Sequence, residues 1–474
     1  VLGRNSVERF VDAIGMVGTL MRGRQLAGLM VASALVTLDG TAATVALPAI
    51  ARDFSASISR LQWIGNAPLL MLAAMLLPAG TLADRYGRVR MIRIGLLIFV
   101  AASIACAAAQ SDAAMIGARF LQGAGGALVL PAALAMLRGA SSDAGQRTRI
   151  FGAWAAWTGA AAAAGPLLAG ALVDFWTWRA VFVPSIAAAV AAVLLLEAEA
   201  RGASATRSHP IPGIATLALV VLLGGVAYLL IEGPNIGLAG WRIVLSGALA
   251  AVAAVVLVRD PRRHLLLPPE LMAARNCVPA NVVTFSFYFG MFGLSFLMAL
   301  YAQQALGYSA LRAAIVILPI SVMLLFAERF GYLATRLGTR PLIVAGALSA
   351  AVGTGWMAAG PHPLPFWSHM IVGMTLFGLG ISLAVSALTH AAVAAVPETC
   401  AGAASGLNHA TVRAAGLVAI ALLGSIAAPG WSDAVSTEGV QRAMIICAAV
   451  VAAGGLAGSA LLRDEEPGGL SRAA

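Results

Sequence analysis

Apolar stretches of membrane-crossing length recur along the chain, each closed by Arg, Pro or Gly. A bilayer core needs about 20 apolar residues in helical form, and runs near that length read as transmembrane helices. They fall at about 25–48, 61–82, 91–109, 114–137, 150–173, 178–196, 211–231, 241–258, 279–302, 311–334, 341–359, 366–394, 402–428 and 440–462. The pattern predicts an all-α polytopic membrane protein with fourteen spans, an even number that returns both termini to one side.

Arginine placement predicts which side. Arg85, Arg88, Arg90 and Arg93 follow the second run; Arg138, Arg147 and Arg149 the fourth; Arg201 and Arg207 the sixth. Arg259, Arg262, Arg263 and Arg275 follow the eighth, and Arg336 and Arg340 the tenth. The alternate connections carry fewer, and short loops rich in Arg stay cytoplasmic, so both termini are expected inside. Trp63, Trp176, Trp178, Trp241, Trp367 and Trp431 all fall at the expected outer boundary, as an interfacial aromatic belt requires.

Composition sharpens this picture. Over 474 residues, 60% are hydrophobic and 11% charged, against about 25% charged in a soluble domain. The net charge of +10 resides wholly on Arg, there being no Lys, and lies between the apolar runs. That placement suits topology and anionic membrane lipids and excludes a nucleic-acid face. Lacking Lys, the chain has no Gly-x-x-x-x-Gly-Lys phosphate loop, so no ATP-driven step is expected. Cys106, Cys277, Cys400 and Cys447 have no metal-ligand spacing. No metal site and no cofactor are expected. No cleavable signal peptide is evident, and residues 1–24 alternate charged and apolar positions in the manner of an amphipathic helix on the inner membrane face.

Two loops repeat one another. Gly80–Arg88 follows the second run, and the similar Gly331–Arg340 follows the tenth. That spacing divides the chain into an amphipathic segment (1–24), a six-helix bundle (25–196), a linker with two extra spans (197–276), a second six-helix bundle (277–462) and a tail (463–474). Parallel halves place a substrate site between them near mid-membrane.

Charge inside the apolar runs carries the chemistry, since it costs about 2.5–3.5 kcal/mol to put it there. Asp39 lies about 13 Å from the predicted outer end of the first helix, and Arg119 about 8–9 Å from that of the fourth, at 1.5 Å per residue. The two are expected to meet directly or through water, either as a structural pair or as a proton-handling one. A carboxyl group between an apolar surround and a guanidinium can take up and release a proton. Thr44, Asn66, Gln122, Tyr288, Gln303, Asn408, His409 and Arg413 are candidate cavity-lining residues, with Asn281 and Gln304 as further polar positions.

Several motifs resemble one family. Gly80-x-x-x-Asp84-Arg85-x-Gly87-Arg88 is similar to the signature loop of the major facilitator superfamily. Leu38-Asp39-Gly40-Thr41-x-x-Thr44-Val45-Ala46-Leu47-Pro48 resembles the first-helix motif of its fourteen-helix drug:proton antiporters. Arg119-Phe120-Leu121-Gln122-Gly123-x-Gly125-Gly126 resembles their fourth-helix motif, and Gly159 through Gly165-Pro166-x-x-Ala169-Gly170 the fifth-helix antiporter motif. Trp178-Arg179-x-x-Phe182 and Ala404–Asn408 also fit. The chain departs at Thr44, where Asn is usual, at Pro68, where Tyr is common, and at Thr335, where the second signature loop is acidic.

The resemblance implies a monomeric, proton-coupled antiporter in the bacterial inner membrane, exporting small amphipathic compounds by alternating access. Asp39 would carry the coupled proton and Arg119 would tune it. Gly80, Asp84, Arg85, Gly87 and Arg88 would form a conformational latch, made in one of two rocking states. Gly159, Gly165, Pro166 and Gly170 would pack the fifth helix at the half-to-half interface. A dedicated exporter of one endogenous metabolite, peptide or lipid on the same fold stays open. So does an intramembrane serine hydrolase using Ser405 with His409 or His390.

Overall fold

The computed structural model describes residues 23–141, 143–196, 213–237, 239–260, 269–394, 401–428 and 434–462. Expectations for the N-terminal segment, the tail, Arg201, Arg207, Arg262, Arg263, Cys400 and Trp431, and for the side chains of Thr335 and His390, lie outside the described residues.

Among the described residues the secondary structure is helical throughout, with no strand. The first half contains α1 (Gly23–Phe54), α2 (Ile58–Tyr86), α3 (Arg88–Ala108), α4 (Asp112–Gly139), α5 (Ala144–Phe175) and α6 (Val183–Leu195), the last entered by a 3-10 turn over Trp178–Phe182. Next come α7 (Gly213–Ile236), α8 (Trp241–Arg259) and a short helix, Pro269–Ala273. The second half contains α9 (Cys277–Leu300), α10a (Ala310–Leu324), α10b (Ala327–Leu337), α11 (Thr339–Ala358), α12 (Val372–Ala394), α13 (Ala401–Ala427) and α14 (Thr437–Leu461). Thirteen spans in the described residues are long and apolar enough to cross a bilayer, and Ala310–Leu324 is a shorter apolar helix. The protein is multi-pass.

Most helices outrun their apolar cores, because backbone hydrogen bonding continues into the polar flank. Thus α1 runs on through Arg52 and Asp53, and α5 begins before the apolar run at Asp143, whose carboxylate accepts the Gln146 N–H at 2.6 Å. The tenth run, expected as one span, is broken. Phe326 N–H bonds back to Met323 O, tightening the last turn of α10a, and α10b continues with Arg329 and Arg336 as a more polar helix.

The second half repeats the packing of the first with an offset of eight helices. The contacts α1·α5, α1·α6, α2·α4, α3·α4 and α3·α6 recur as α9·α13, α9·α14, α10a·α12, α11·α12 and α11·α14. The halves meet through α2 against α13 and α5 against α10a, a symmetric pair of seams. Helix α7 lies against both α2 and α13, and α8 packs chiefly on α7.

Side-chain hydrogen bonds fasten the halves together at the rim where α1 turns into α2. Gln62 Nε2 donates to Ile420 O at 2.8 Å and Ala421 O at 2.7 Å. Gln303 Nε2 donates to Val45 O at 3.0 Å. The Asp174 carboxylate accepts the N–H groups of Ala310 and Leu311, both at 2.9 Å, capping α10a where its dipole favours negative charge. Trp176, Trp241 and Trp367 are exposed at this rim, as a belt requires. Trp178 is not part of the belt: it is buried, donates to Asp53 at 3.1 Å and meets Phe54 edge-on.

Candidate functional site

Helix α4 occupies the middle of the first half because it has little side chain to keep neighbours away. A β-carbon at Gly123 would fall 2.6 Å from the Pro68 backbone of α2, and one at Gly125 would fall 2.7 Å from Gly95 O of α3. Only glycine permits both approaches. One turn before this stretch, Arg119 and Gln122 are thereby carried into the bundle interior, where both are buried.

Arg119 meets Asp39 of α1 there. Its Nη1 donates to Asp39 Oδ2 at 2.6 Å and also to Gln122 Oε1. The two charged side chains keep only 2% and 7% of their surface exposed. Asp39 Oδ1 accepts from Gln122 Nε2 at 2.8 Å and from Ser185 Oγ of α6 at 3.2 Å. Gln122 Nε2 also donates to Ser103 Oγ of α3 at 2.9 Å, and the Ser103 hydroxyl in turn donates to Phe99 O at 2.7 Å. Arg119 Nε reaches Ile64 O of α2 at 3.4 Å. Five helices thus contribute to one network around this carboxylate, which α4 and α6 contact directly. A buried ion pair offsets its desolvation only with such additional hydrogen bonds, and losing one partner strands the other.

The pair faces a cavity between the halves. Its walls include Val36, Asp39, Gly40 and Thr44 of α1, Leu69 and Leu72 of α2, Arg119 and Gln122 of α4, Phe292 and Phe296 of α9, and Arg413 and Ile420 of α13. Of the candidate lining residues, Thr44, Gln122 and Arg413 are among its walls, while Asn66, Tyr288, Gln303, Asn408 and His409 are not. Gln303 is spent on the Val45 carbonyl. Asn408 Nδ2 donates to Thr284 Oγ1 at 3.0 Å, Asn281 accepts from Thr411 at 3.0 Å, and Gln304 Oε1 accepts the Val435 N–H at 3.4 Å. Asn66 is fully buried with no partner on either amide atom among the described residues.

Helix α5 presses on the same region. A β-carbon at Gly165 would meet Thr41 Oγ1 and Leu38 O, on either side of Asp39. At Gly170 it would fall 2.6 Å from Leu311 Cα, and at Gly159 2.8 Å from Leu325 Cδ2, both in the other half. Pro166 lies within α5, which continues through it.

At the opposite rim, Gly80 has open space where a side chain would stand, and Gly87 supplies a positive φ of 96° for the turn into α3. Asp84 pairs with Arg88 at 3.1 Å within its own loop, and Arg85 lies over the Tyr86 ring. Among the described residues Asp84 makes no contact across the halves. Among the described residues no hydrogen bond joins Ser405 to His409, and no acidic, His or Cys cluster could hold a metal ion.

The sequence profile of the Major Facilitator Superfamily matches residues 29–421. The chain belongs to that superfamily. Among its members, the chain is 30% identical over 413 residues to the multidrug resistance protein Stp of Mycobacterium tuberculosis (strain CDC 1551 / Oshkosh), covering 86% of this chain and 76% of the relative. It is 31% identical over 431 residues to the tetracenomycin C resistance and export protein of Streptomyces glaucescens, covering 87% and 78%. A crystal structure of the peptide transporter POT in complex with sulfate superposes with a TM-score of 0.68 at 17% identity, over 92% of this chain and 94% of that one. The shared fold is that of a membrane transporter of small molecules.

Ser103, Ser185, Gln62, Asp174 and Glu232 escaped the sequence reading. Glu232 Oε1 accepts from Trp63 Nε1 at 3.1 Å, and Asp174 caps α10a. Each of these two acids lies one residue past its apolar run, and an intramembrane carboxylate would have flagged either had the run been drawn one position longer.

Proposed function

We propose that this superfamily member is a proton-coupled antiporter that exports small amphipathic compounds from the bacterial cytoplasm by alternating access. The observation that carries the reading is Asp39, a carboxylate buried in mid-bundle yet bordering the cavity between the halves. Protonating it removes the charge that holds Arg119 Nη1 and turns one oxygen from acceptor to donor. The five-helix cluster must then rearrange, and a rearrangement on α1 and α4 beside the cavity is felt by whatever occupies it. The resistance and export named for the relatives support the direction of transport.

In this reading the protein is a monomer in the inner membrane, both termini are cytoplasmic, and the rim at which α1 turns into α2 faces outward. The cross-half bonds of Gln62, Gln303 and Asp174 then close the outer gate. The solitary Asp84–Arg88 pair marks the inner latch as released, to be made when the outer gate opens. Lipid surrounds the bundle and anionic headgroups meet the Arg-rich inner loops.

Everted membrane vesicles with a preformed pH gradient, reported by a quenched dye, test this directly. Cationic, neutral and acidic amphiphiles are added to vesicles carrying wild type or Asp39→Asn. Dissipation by some compounds with wild type alone supports the reading. A response by Asp39→Asn equal to wild type removes Asp39 from the coupling.

A further inference from the structure

The charges around the central cavity do not balance. Asp39 is the sole acidic residue among its walls, and its two oxygens already take three donors, one of them Arg119. The second guanidinium, Arg413, reaches the same cavity from α13 in the other half. Its Nε is buried without a hydrogen-bond partner, and among the described residues no carboxylate pairs with it. An arginine that merely ties helices together spends its donors on carbonyl oxygens or a carboxylate. This one holds an uncompensated charge against Leu69, Leu72, Phe292, Phe296 and Ile420.

An unpaired charge in a low-dielectric wall is costly until an opposite charge arrives. The planar guanidinium offers paired donors that match a carboxylate. Tyr288, although not a wall of the cavity, lies within electrostatic reach of Arg413. His409 precedes Arg413 by about one turn, and Arg138, at the end of α4, lies within electrostatic reach of it.

We infer that Arg413 selects the cargo, and that the cargo is an amphipathic organic anion: an apolar body bearing one carboxylate. The inference rests on the proposed reading that this cavity is the transport site. The carboxylate docks on the Arg413 guanidinium while the apolar body lies against Phe292, Phe296 and the leucines of α2. A cationic compound would meet two guanidinium groups and one carboxylate whose charge Arg119 already compensates. Charge also fits the cycle. Loaded, the cavity is neutral; empty, it carries a net positive charge, so an inside-negative membrane potential favours the empty return. A proton on Asp39 adds a second positive charge to that return leg, in the same direction.

The test uses three matched fluorophores binding to the full protein in lipid nanodiscs, with no gradient present: dansylglycine, its neutral amide, and the dansyl ethylenediamine cation. Wild type is expected to bind dansylglycine at least tenfold more tightly than the amide, with the cation weakest. Arg413→Gln is expected to bring acid and amide within about twofold. Arg413→Lys is expected to keep a several-fold preference for the acid. Wild type binding the amide or the cation as tightly as the acid overturns the inference, as does an undiminished preference in Arg413→Gln. If Arg413→Gln loses the amide too, Arg413→Lys decides: a retained preference supports the inference, and parity overturns it. Equilibrium binding needs no proton gradient. A preference for the acid without gradient dissipation by dansylglycine therefore leaves the anion site standing and overturns the proton exchange.

Discussion

Gly165 of α5 stands over the carbonyl oxygen of Leu38, so close that a β-carbon would fall 2.9 Å from that oxygen and nearer still to Thr41 Oγ1. The backbone of α5 thereby braces the turn of α1 that presents Asp39. Gly165→Ala is expected to push α1 aside and destabilise the fold by about 1–3 kcal/mol, the usual cost of overpacking, with transport falling more than stability. Gly80→Ala, which meets nothing within 4 Å, is the control for stability. Thermal unfolding in detergent, run beside vesicle transport, checks both.

Asp39→Asn leaves Arg119 buried without its counter-charge, a loss of about 3–5 kcal/mol in stability. The double variant Asp39→Asn/Arg119→Gln removes both charges and is expected to recover much of that stability without restoring exchange. Recovery of exchange in the double variant would show that the pair is structural and the proton travels elsewhere.

Gln62→Ala deletes the contacts to Ile420 O, Ala421 O and Ser425 Oγ that join α2 to α13 in this conformation. At about 1–2 kcal/mol in total, the ratio of open to closed outer rim should rise by a factor of about 5–30. Spin labels at Ala113 and Ala305, one on each half, report it as growth of a longer distance in the measured distribution.

Asp84→Asn removes a surface pair whose partners are 55% and 42% exposed. Such pairs contribute about 0–1 kcal/mol, so melting should barely change. If Asp84 closes the inner latch in the alternate state, transport is expected to fall sharply all the same. Unchanged transport would reduce this loop to a determinant of topology.

Charge in an apolar run is the most legible feature of a membrane sequence, and it exposed Asp39, Arg119 and Arg413 directly. The helices were equally plain, since each must present an unbroken apolar stretch. Their ends were not, because the backbone keeps its hydrogen bonds past the last apolar residue; Asp174 and Glu232 were missed for that reason. Ser103 and Ser185 gave no signal, since a serine in a helix can satisfy itself on a preceding carbonyl, as Ser103 does on Phe99. Polar residues such as Gln303 and Asn408 announced themselves, but their partners lie on distant helices that sequence spacing does not bring together.

Helix α7 is joined to both halves at once. Trp63 and Asn235 link it to α2 through Glu232 and Ser59, while Ser425 of α13 donates to Leu230 O at 2.8 Å. If the rim at which α1 turns into α2 parts during transport as proposed, α2 and α13 separate and α7 can follow only one of them. Whichever it follows, α8 rides outboard on α7 like the far end of an oar, sweeping lipid aside. The work of each stroke then depends on how readily the surrounding bilayer yields, so turnover should slow in stiffer membranes more than in a carrier without the two extra helices.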